Sequence, residues 1–412
     1  MKVLLVSHNC FSKTQNMGKT FASLFSNFKK EELMQLYLYP TIPNIDICDN
    51  YFRITDMDAV RSIIKRGKCG QIIKPEVIDE SETLFESIEE AEQYEKINRN
   101  SFLIRRLRDL AWKISAWKSK ELKQWLKDGK PDVVFYAMGD AMFSQDIAMW
   151  VADFLKIPLV TYVCDEFYFY YKKINKFNLG LVSNIKKTIK KSKKLVTICD
   201  SLGEAYYREF NVPYKTVMTG SSFNIGSLPN KEKQNQISYI GGLGLNRWKS
   251  LIDISDVVNE LNKENLWDIK LVYYGSENEK LKGIIEYGGR LDLEGVKNKI
   301  AESKIVLHIE TFDEELKERL RYSVSTKIAD SLASGTLLLA YGPSDLASTI
   351  HLKENNCAPV VSDKLELKKV LKELLKDNKL KEEYETNAIK TAMKFHDAKI
   401  NSEKIRNILL NL

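Results

Sequence analysis

The apolar residues of the chain fall into short runs, and longer stretches with helical spacing separate the runs. Each run holds four to six residues rich in Val, Ile, Leu and Tyr. The runs are 3–6, 34–38, 133–137, 159–163 and 195–198 in a first series, and 237–240, 269–274, 305–309 and 337–341 in a second. Such runs between helical patterns are typical of buried parallel strands in βαβ units. The sequence therefore predicts an α/β protein with two doubly wound parallel sheets, which bind ligands at the carboxyl ends of their strands.

Residues 220–236, GSSFNIGSLPNKEKQNQ, separate the two series. Gly, Ser, Asn and Pro dominate this stretch and it lacks periodicity, as linkers do. We predict a first domain at 1–222, a linker at 223–236 and a second domain at 237–395. The insertion 41–100, acidic between 80 and 95, fits this scheme least well, and we interpret it as a lid or an acceptor-binding region.

A long helical pattern follows that insertion, at 101–127, and it contains Trp112, Trp117 and Trp125 among basic residues. Aromatic residues at such spacing pack into a core or an interface more often than they form a binding platform. We therefore predict that the three tryptophans are packing residues.

Composition narrows the class of protein. With 412 residues and 44% hydrophobic content, the chain can bury the cores of two domains. The net charge of +7 is modest and does not indicate a nucleic-acid-binding surface. Six scattered cysteines show no metal-binding spacing, which predicts a reduced cytoplasmic protein without structural zinc. Because no apolar window approaches the length of a membrane span, we expect a soluble or peripheral protein.

The stretch 322–343, YSVSTKIADSLASGTLLLAYGP, predicts a helix followed by a buried strand. Ser325 and Thr326 are good N-cap residues, and Lys327 lies in the first helical turn. Backbone N–H groups, the positive helix end and the lysine ammonium can converge on one phosphate. Asp330, on the same helix face, can accept hydrogen bonds from sugar hydroxyls. The pattern also fits an ordinary capped helix with a solvated Lys–Asp pair.

A second cationic strand end follows the run 237–240. In YIGGLGLNRWKS, residues 239–250, Gly242 and Gly244 permit a tight turn before Arg247, although the spacing is not that of a dinucleotide-binding GxGxxG motif. Two cationic strand ends within one sheet, at Arg247 and Lys327, can clamp a diphosphate without a metal ion. Glu310, after VLHI, lies at a third strand end of this domain.

Two candidates lie in the first domain. Gly18, in MGKT after the first strand, either lets the backbone approach a ligand or belongs to a plain βα loop. The motif is not a P-loop, because Lys13 stands where the motif needs glycine. Asp165 and Glu166 directly follow the run PLVTYVC, and either can orient an acceptor hydroxyl or act as a base. Alternatively, the two carboxylates are simply solvated loop residues.

Residues 172–194 carry nine lysines and no acidic residue, with apolar residues among them. This composition fits contact with an anionic membrane surface. A solvated helix face fits it as well, and nucleic acid fits it less well.

At these motifs the chain resembles a GT-B glycosyltransferase, most closely the retaining nucleotide-sugar enzymes of glycosyltransferase family 4. YIGGLGLNRWKSL is similar to the family's strand–loop segment, with Gly242 where its arginine usually stands and Arg247 where its lysine stands. STKIADSLASGTLLLAYGP is similar to the segment ending in Glu-Ala-x-Ala-x-Gly-x-Pro-Val, with Asp330 in place of the ribose-binding glutamate.

The chain departs from the family at Tyr322, where a glutamate helps to hold the donor sugar. Ser325, Thr326 and Lys327 instead resemble a Ser-Thr-Lys version seen in polysaccharide-assembly relatives. SHNCFSKTQNMGKT, which contains Gly18, resembles the family's glycine loop near donor phosphates and acceptor.

The resemblance implies a cytoplasmic, peripheral glycosyltransferase of two Rossmann-like domains with an interdomain cleft, acting in surface-polysaccharide or glycoconjugate assembly. A sugar would move from a nucleotide diphosphate sugar to a carbohydrate or lipid-linked hydroxyl, with retention and without a cofactor or metal. Arg247 and Lys327 would neutralise the leaving diphosphate, Asp330 would bind the ribose, and the C-terminal helix, 396–412, would pack on the first domain. A catalytically inactive GT-B module that binds a sugar nucleotide or a partner is the alternative.

Overall fold

The structure is a computed structural model, which describes residues 1–13, 16–64, 68–75, 102–174, 179–228, 231–264 and 267–412. The chain divides into two compact units. The first comprises Met1–Val217 and Ser402–Leu412, and the second comprises Met218–Asn401.

The first unit is built around a largely parallel sheet. Its strands are β1 Val3–Ser7, β2 Leu33–Tyr37, β3 Tyr51–Arg53, β4 Gln71–Ile73, β5 Val133–Ala137, β6 Leu159–Val163, β7 Lys194–Thr197 and β8 Tyr214–Thr216. Within the described residues their order is β4-β3-β2-β1-β5-β6-β7-β8, and only the pair β3–β4 is antiparallel. The central strands are buried along their whole length, as expected when helices cover both faces.

Helices connect these strands and cover the sheet. They are α1 Asn16–Leu24, α2 Asp56–Ile64, α3 Phe102–Ile114, α4 Lys120–Gly129, α5 Met142–Leu155, α6 Tyr168–Ile174, α7 Leu179–Lys191 and α8 Asp200–Phe210, with a 3-10 turn at Lys30–Glu32. Aromatic side chains dominate the core on one side of the sheet, where Phe25 packs edge-on against Phe135 with ring centroids 5.2 Å apart.

The second unit is built around a parallel sheet. Its strands are β9 Gln234–Ile240, β10 Lys270–Tyr274, β11 Glu286–Tyr287, β12 Ser303–Ile309, β13 Leu338–Tyr341 and β14 Val360–Val361. Within the described residues they are ordered β11-β10-β9-β12-β13-β14, with every paired neighbour parallel. The strand order reverses between β9 and β12, and in doubly wound sheets ligands bind at such a point.

The helices that accompany this sheet are α9 Arg247–Lys263, α10 Leu293–Glu302, α11 Glu314–Leu320, α12 Thr326–Ser334, α13 Ala347–Glu354, α14 Lys364–Lys376 and α15 Asn378–Thr391, with a 3-10 turn at Glu279–Leu281 and a π turn at Ala392–His396. The last helix, α16 Ala398–Leu410, leads back into the first unit, to which its residues from Ser402 onward belong. Two apolar cores flank the sheet, one under α9 and α14 and one under α12. Gly335 ends α12 with a φ of +69°, a left-handed conformation that glycine adopts without strain.

The fold class predicted from the sequence is confirmed. Each of the nine apolar runs coincides with a strand to within a few residues. The pattern predicted one helix across 101–127, which is wrong, because the chain forms α3 and α4 with a break between them. Ser119 caps α4 by accepting a hydrogen bond from the backbone N–H of Leu122. The prediction that the three tryptophans are packing residues is confirmed, since Trp112, Trp117 and Trp125 are all buried.

The stretch predicted as a linker at 223–236 is part of the second unit. Phe223, Ile225 and Leu228 pack against the core under α12, and the N–H of Gly226 donates to the carbonyl of Ala333. Strand β9 begins at Gln234, within the predicted linker. Apolar residues spaced among Gly, Ser and Asn hold this stretch against the core under α12. The boundary between the two units therefore lies earlier than predicted, after Val217.

The end of the chain belongs to the first unit. Ile405, Ile408 and Leu409 of α16 lie in its core. Arg406 donates to both carboxylate oxygens of Glu32 at 2.8 Å, and the hydrogen bond from this guanidinium lowers the pKa of Glu32 to about 2. Helix α16 therefore closes the first unit through both apolar and ionic contacts.

Part of the predicted insertion at 41–100 forms β3, α2 and β4 at one edge of the first sheet. Its acidic stretch, 80–95, lies outside the described residues. In the lysine-rich region, Leu181, Ile185 and Ile189 of α7 are buried in the protein, so these three apolar residues are not available at the surface. In the part of the chain that the structure describes, we find no helix long and apolar enough to cross a membrane.

The six cysteines are free thiols. Cys164 is half-buried, and the other five are buried. Burial raises the pKa of all six, to about 11 for Cys10, Cys69 and Cys357 and to about 12 for Cys48. At neutral pH these thiols are therefore protonated.

Candidate functional site

The candidate site lies in the second unit, at the carboxyl ends of β9 and β12. Because these strands are parallel neighbours, their following residues meet at one edge of the sheet. Strand β9 leads through a glycine-rich loop into Arg247, the first residue of α9. Strand β12 leads into Glu310, and the first turn of α12 brings Lys327 to the same small pocket, which is lined by Tyr239, Arg247, Leu307, His308, Ile309, Glu310, Ser325, Lys327, Ile328 and Ser331.

Arg247 and Glu310 form a buried ion pair. The Nε and Nη2 atoms of Arg247 lie 2.9 and 2.8 Å from the same carboxylate oxygen, Oε2 of Glu310. The exposed fractions of the two side chains are 17% and 5%. Burial raises the pKa of Glu310, and the guanidinium opposes that rise by favouring the charged carboxylate. The pair therefore holds the guanidinium in one orientation at the strand end.

His308 lies beside this pair. Residues two apart on a strand point to the same face, so His308 and Glu310 share one side of the sheet edge. The Nε2 atom of His308 is 3.6 Å from Oε1 of Glu310, and this nitrogen is buried without a hydrogen-bond partner among the described residues. Burial, together with the nearby Arg247 and Lys327 charges, lowers the pKa of His308 to about 3, so the imidazole is neutral at physiological pH.

Lys327 supplies the second cation. Its side chain runs beside Gly241 so closely that a Cβ added there would lie 2.7 Å from the Nζ atom. The residue as a whole is exposed. Desolvation at the pocket lowers the pKa of the ammonium, Arg247 lowers it further, and Glu310 opposes the shift. Within the described residues Lys327 forms no ion pair or hydrogen bond, so its ammonium can accept an anionic ligand.

The loop between β9 and α9 is shaped by close backbone packing. Gly241 has a φ of +155°, and its carbonyl oxygen would lie 2.5 Å from a Cβ added to Gly275. The hydroxyl of Tyr239 donates to the carbonyl of Gly242 at 2.6 Å. By contrast, a Cβ on Gly242 or Gly244 would meet nothing within 4 Å. Gly242 and Gly244, both predicted from the sequence as site residues, therefore leave open space beside the backbone at the end of β9.

The start of α12 is partly as predicted. Ser325 occupies the N-cap position and lines the pocket, but its side chain makes no capping hydrogen bond. Thr326 is exposed. The carboxylate of Asp330 accepts hydrogen bonds from the backbone N–H of Ser222 at 2.7 Å, from the Ser222 hydroxyl at 3.1 Å and from the Ser221 hydroxyl at 3.2 Å. In this structure the Asp330 side chain thus holds the chain segment before β9.

Gly18 and Asp165 belong to the first unit, whereas the residues that line the pocket belong to the second. A Cβ on Gly18 would lie only 2.3 Å from the carbonyl oxygen of Cys10. Close packing against this part of the backbone is therefore sufficient reason for a glycine at position 18. Asp165 is exposed after β6. Its neighbour Glu166 is buried and caps α6 by accepting hydrogen bonds from the N–H groups of Phe169 and Tyr170 at 2.6 and 2.8 Å.

The second-unit cluster contains two cations, one carboxylate and a neutral imidazole. One net positive charge, open backbone and an ammonium without a partner in the described part of the chain suit an anion with several oxygens, such as a phosphate group. Among the described residues, no three His, Cys, Asp or Glu side chains are grouped so as to hold a metal ion. Sequence reasoning did not select His308, although its period-two spacing from Glu310 was visible.

Residues 255–407 match a family model described as "Glycosyl transferase-like". No curated protein matches the chain by sequence.

Solved structures match nearly the whole chain. The chain resembles Anabaena Alr3699/HepE in complex with UDP, with a TM-score of 0.62, 10% identity and full coverage of both chains. It resembles a glycosyltransferase from Rickettsia africae, with a TM-score of 0.59, 11% identity and coverage of 99% and 97%. It also resembles WaaG, a glycosyltransferase involved in lipopolysaccharide biosynthesis, with a TM-score of 0.56, 13% identity and coverage of 99% of each chain. The chain therefore has the GT-B fold of two Rossmann-like, parallel-sheet domains.

Proposed function

We propose that the protein is a glycosyltransferase that moves a sugar from a nucleotide diphosphate sugar to a hydroxyl acceptor. The observation that carries the proposal is the ammonium of Lys327, which has no ion-pair or hydrogen-bond partner among the described residues and shares a pocket with Arg247 at the carboxyl ends of two parallel strands. The fold and the partial family match support the same reaction class. UDP is bound in the Anabaena structure, which makes UDP the first nucleotide to test here.

The site suits the departure of a diphosphate. In the transfer, the acceptor oxygen bonds to the anomeric carbon, the bond from that carbon to the diphosphate oxygen breaks, and the hydroxyl proton passes to a base. Negative charge then grows on the diphosphate, and preorganised cations stabilise such charge most effectively. Lys327 would meet the phosphate directly, while Glu310 would keep the Arg247 guanidinium oriented towards it. This charge compensation supports transfer without a metal cofactor.

Several finer assignments belong to the same proposal. We place the enzyme in glycosyltransferase family 4, with hexosyl transfer and retention of configuration, and in surface-polysaccharide or glycoconjugate assembly on a carbohydrate or lipid-linked acceptor. Asp165 would orient that acceptor hydroxyl or accept its proton. Asp330 would bind the ribose if donor binding released it from Ser222. The protein would work in the cytoplasm, at the membrane surface.

A binding module without transferase activity is the second candidate. Two departures from the family pattern favour it, since Tyr322 and Gly242 stand where a glutamate and an arginine are usual. The two candidates share nucleotide binding and differ only in turnover.

Thermal denaturation with UDP, GDP, ADP and CMP, each with EDTA and with magnesium, tests the proposal. A nucleotide at about a hundredfold its dissociation constant adds roughly 2.7 kcal/mol to stability, which shifts the melting temperature visibly. We expect a metal-independent shift with one nucleoside diphosphate. Lys327→Met should lower the affinity for that nucleotide by about tenfold to a hundredfold, because a hydrogen bond to a charged group is lost.

Lys353→Met is the matched control, since Lys353 is an exposed lysine on another helix of the same unit. It should keep the affinity of the unmodified protein. Equal losses in both variants, or none in Lys327→Met, would contradict the phosphate site. Nucleotide binding without donor hydrolysis or transfer would favour the binding module.

A further inference from the structure

Helices α2 and α3 of the first unit expose an unexpected set of side chains. Among their described side chains, seven apolar and three basic residues are exposed, and no acidic residue is. The apolar residues are Met57, Val60, Ile63, Ile64, Leu107, Leu110 and Ile114, and the basic residues are Arg61, Arg106 and Lys113. Ile64 is 80% exposed and Leu107 is 64% exposed, so these side chains point into solvent. We call these ten residues the apolar–basic face.

Helix α3 is inverted relative to an ordinary surface helix. Several of its polar side chains point towards the protein, where the Nε atom of Arg108 and the indole N–H of Trp112 both contact Oδ1 of Asp56, at 2.8 and 2.7 Å. Arg105 contacts Asp140 at 2.9 Å on the same inner side. A surface helix normally turns its apolar stripe towards the core and its charges towards water. In α3, Arg105 and Arg108 pair with carboxylates on the inner side, and an apolar stripe faces out together with Arg106 and Lys113.

The exposed residues of each helix form a continuous stripe. At about 100° per residue, the exposed positions of α3 span an arc of roughly 120°, with Arg106 and Lys113 along one border and the apolar residues along the other. On α2 the arc is of roughly 160°, and Arg61 stands at its border. The contact between Asp56 and Arg108 joins the two helices, so the stripes belong to one surface layer.

We propose that the apolar–basic face binds an anionic lipid surface. Apolar side chains with cations at the border and no acids are the composition of helices that lie in a membrane interface. The apolar groups enter the boundary of the acyl chains, and the three cations meet lipid phosphates. Contact with a second copy through this face would bring the same cations together, so the charge pattern favours lipid over self-association.

This surface differs from the lysine-rich helix α7. Among the described side chains of α7, Leu181, Ile185 and Ile189 are buried and Val182 is half-buried, so the exposed part of this helix carries charge without an exposed apolar residue. Lys191 is in addition paired with Asp153. The apolar–basic face offers charge and exposed apolar area together, and stable peripheral binding needs both.

The test is co-sedimentation of the full chain with vesicles of phosphatidylcholine alone or of phosphatidylcholine mixed with phosphatidylglycerol. We expect binding to the mixed vesicles and little binding to phosphatidylcholine. The triple variant Arg61→Gln, Arg106→Gln, Lys113→Gln should weaken binding on the order of a hundredfold, since each cation near an anionic membrane contributes about 1 kcal/mol. The variant Leu107→Gln, Leu110→Gln should also weaken binding, although it keeps every charge.

Matched controls separate the surfaces. Lys186→Gln, Lys187→Gln, Lys190→Gln removes three exposed lysines from α7 and should leave binding nearly unchanged. Leu365→Gln changes an apolar residue that is 86% exposed in the second unit and should bind as the unmodified protein does. The proposal is overturned if the unmodified protein does not bind mixed vesicles, if the α7 variant loses binding as strongly as the basic triple variant, or if the leucine variant binds normally. Melting temperatures confirm that each variant is folded.

Discussion

Removal of the guanidinium from the Arg247–Glu310 pair should destabilise the second unit strongly. In Arg247→Met the Glu310 carboxylate, 5% exposed, keeps its burial and loses both short contacts to the guanidinium. Breaking one partner of a buried pair costs about 3–5 kcal/mol, which lowers the melting temperature of a unit of this size by on the order of 10 °C. Arg208→Met is the matched control, because the Arg208–Glu204 pair is 80% and 55% exposed and such pairs contribute about 0.5 kcal/mol or less.

The pH dependence identifies the cause. Burial raises the pKa of Glu310, and loss of the guanidinium removes the interaction that opposes this rise. A carboxyl whose folded pKa lies above its unfolded value near 4.3 favours folding when protonated. The penalty in Arg247→Met should therefore shrink as the pH falls towards and below the folded pKa, and it should be full above that pKa.

The double variant Arg247→Met, Glu310→Gln tests whether the unpaired carboxylate causes the loss of stability. It removes the buried charge together with its partner, so it should recover most of the stability that the single variant loses. Differential scanning calorimetry between pH 4 and pH 8 measures all four proteins. The reasoning is refuted if Arg247→Met melts like Arg208→Met, or if the double variant is no more stable than the single one.

Three further outcomes follow from the site. Gly275→Ala should lower the melting temperature markedly, because its Cβ would lie 2.5 Å from the Gly241 carbonyl oxygen at a φ of +153°, whereas Gly242→Ala meets no atom within 4 Å and should melt nearly as the unmodified protein does. The pKa of His308, about 3, lies below its unfolded value, so neutral His308 contributes stability above pH 6.5 that is lost as the pH falls towards 3. In calorimetry, the melting temperature of His308→Asn should therefore fall less steeply with decreasing pH than that of the unmodified protein. Asp330→Asn should destabilise the protein even without nucleotide, through lost hydrogen bonds to the segment before β9, and equal melting temperatures would contradict that role.

The sequence was sufficient for the sheets because each central strand is a continuous apolar run between helical patterns. The short strands at the sheet edges, and β3 next to one edge, have no such run in the sequence. β11 and β14 have two residues each, and β3, β4 and β8 have three, so pairing with a neighbour defines them more than composition does. The break between α3 and α4 did have a sequence cue, the capping serine Ser119, which the longer helical periodicity obscured.

The sequence predicted those site residues that directly follow a strand or lie at the start of a helix. Arg247, Glu310 and Lys327 each follow a strand or begin a helix, and the parallel order of β9 and β12 brings them together. His308 was not found, since a lone histidine within an apolar strand is usually a core residue. The contact of Asp330 with Ser222 was also beyond reach, because it joins residues 108 apart in sequence and depends on how the presumed linker packs on α12.

The protonated thiols, five of them buried and one half-buried, make the chain convenient for site-specific labelling. A maleimide reacts with a thiolate, and burial keeps all six native cysteines in the thiol form well above neutral pH. A cysteine introduced at exposed Ile64 or Leu107 should therefore react with a spin label or an environment-sensitive dye without prior removal of the native cysteines. The label would then report directly how deeply each helix enters a lipid surface.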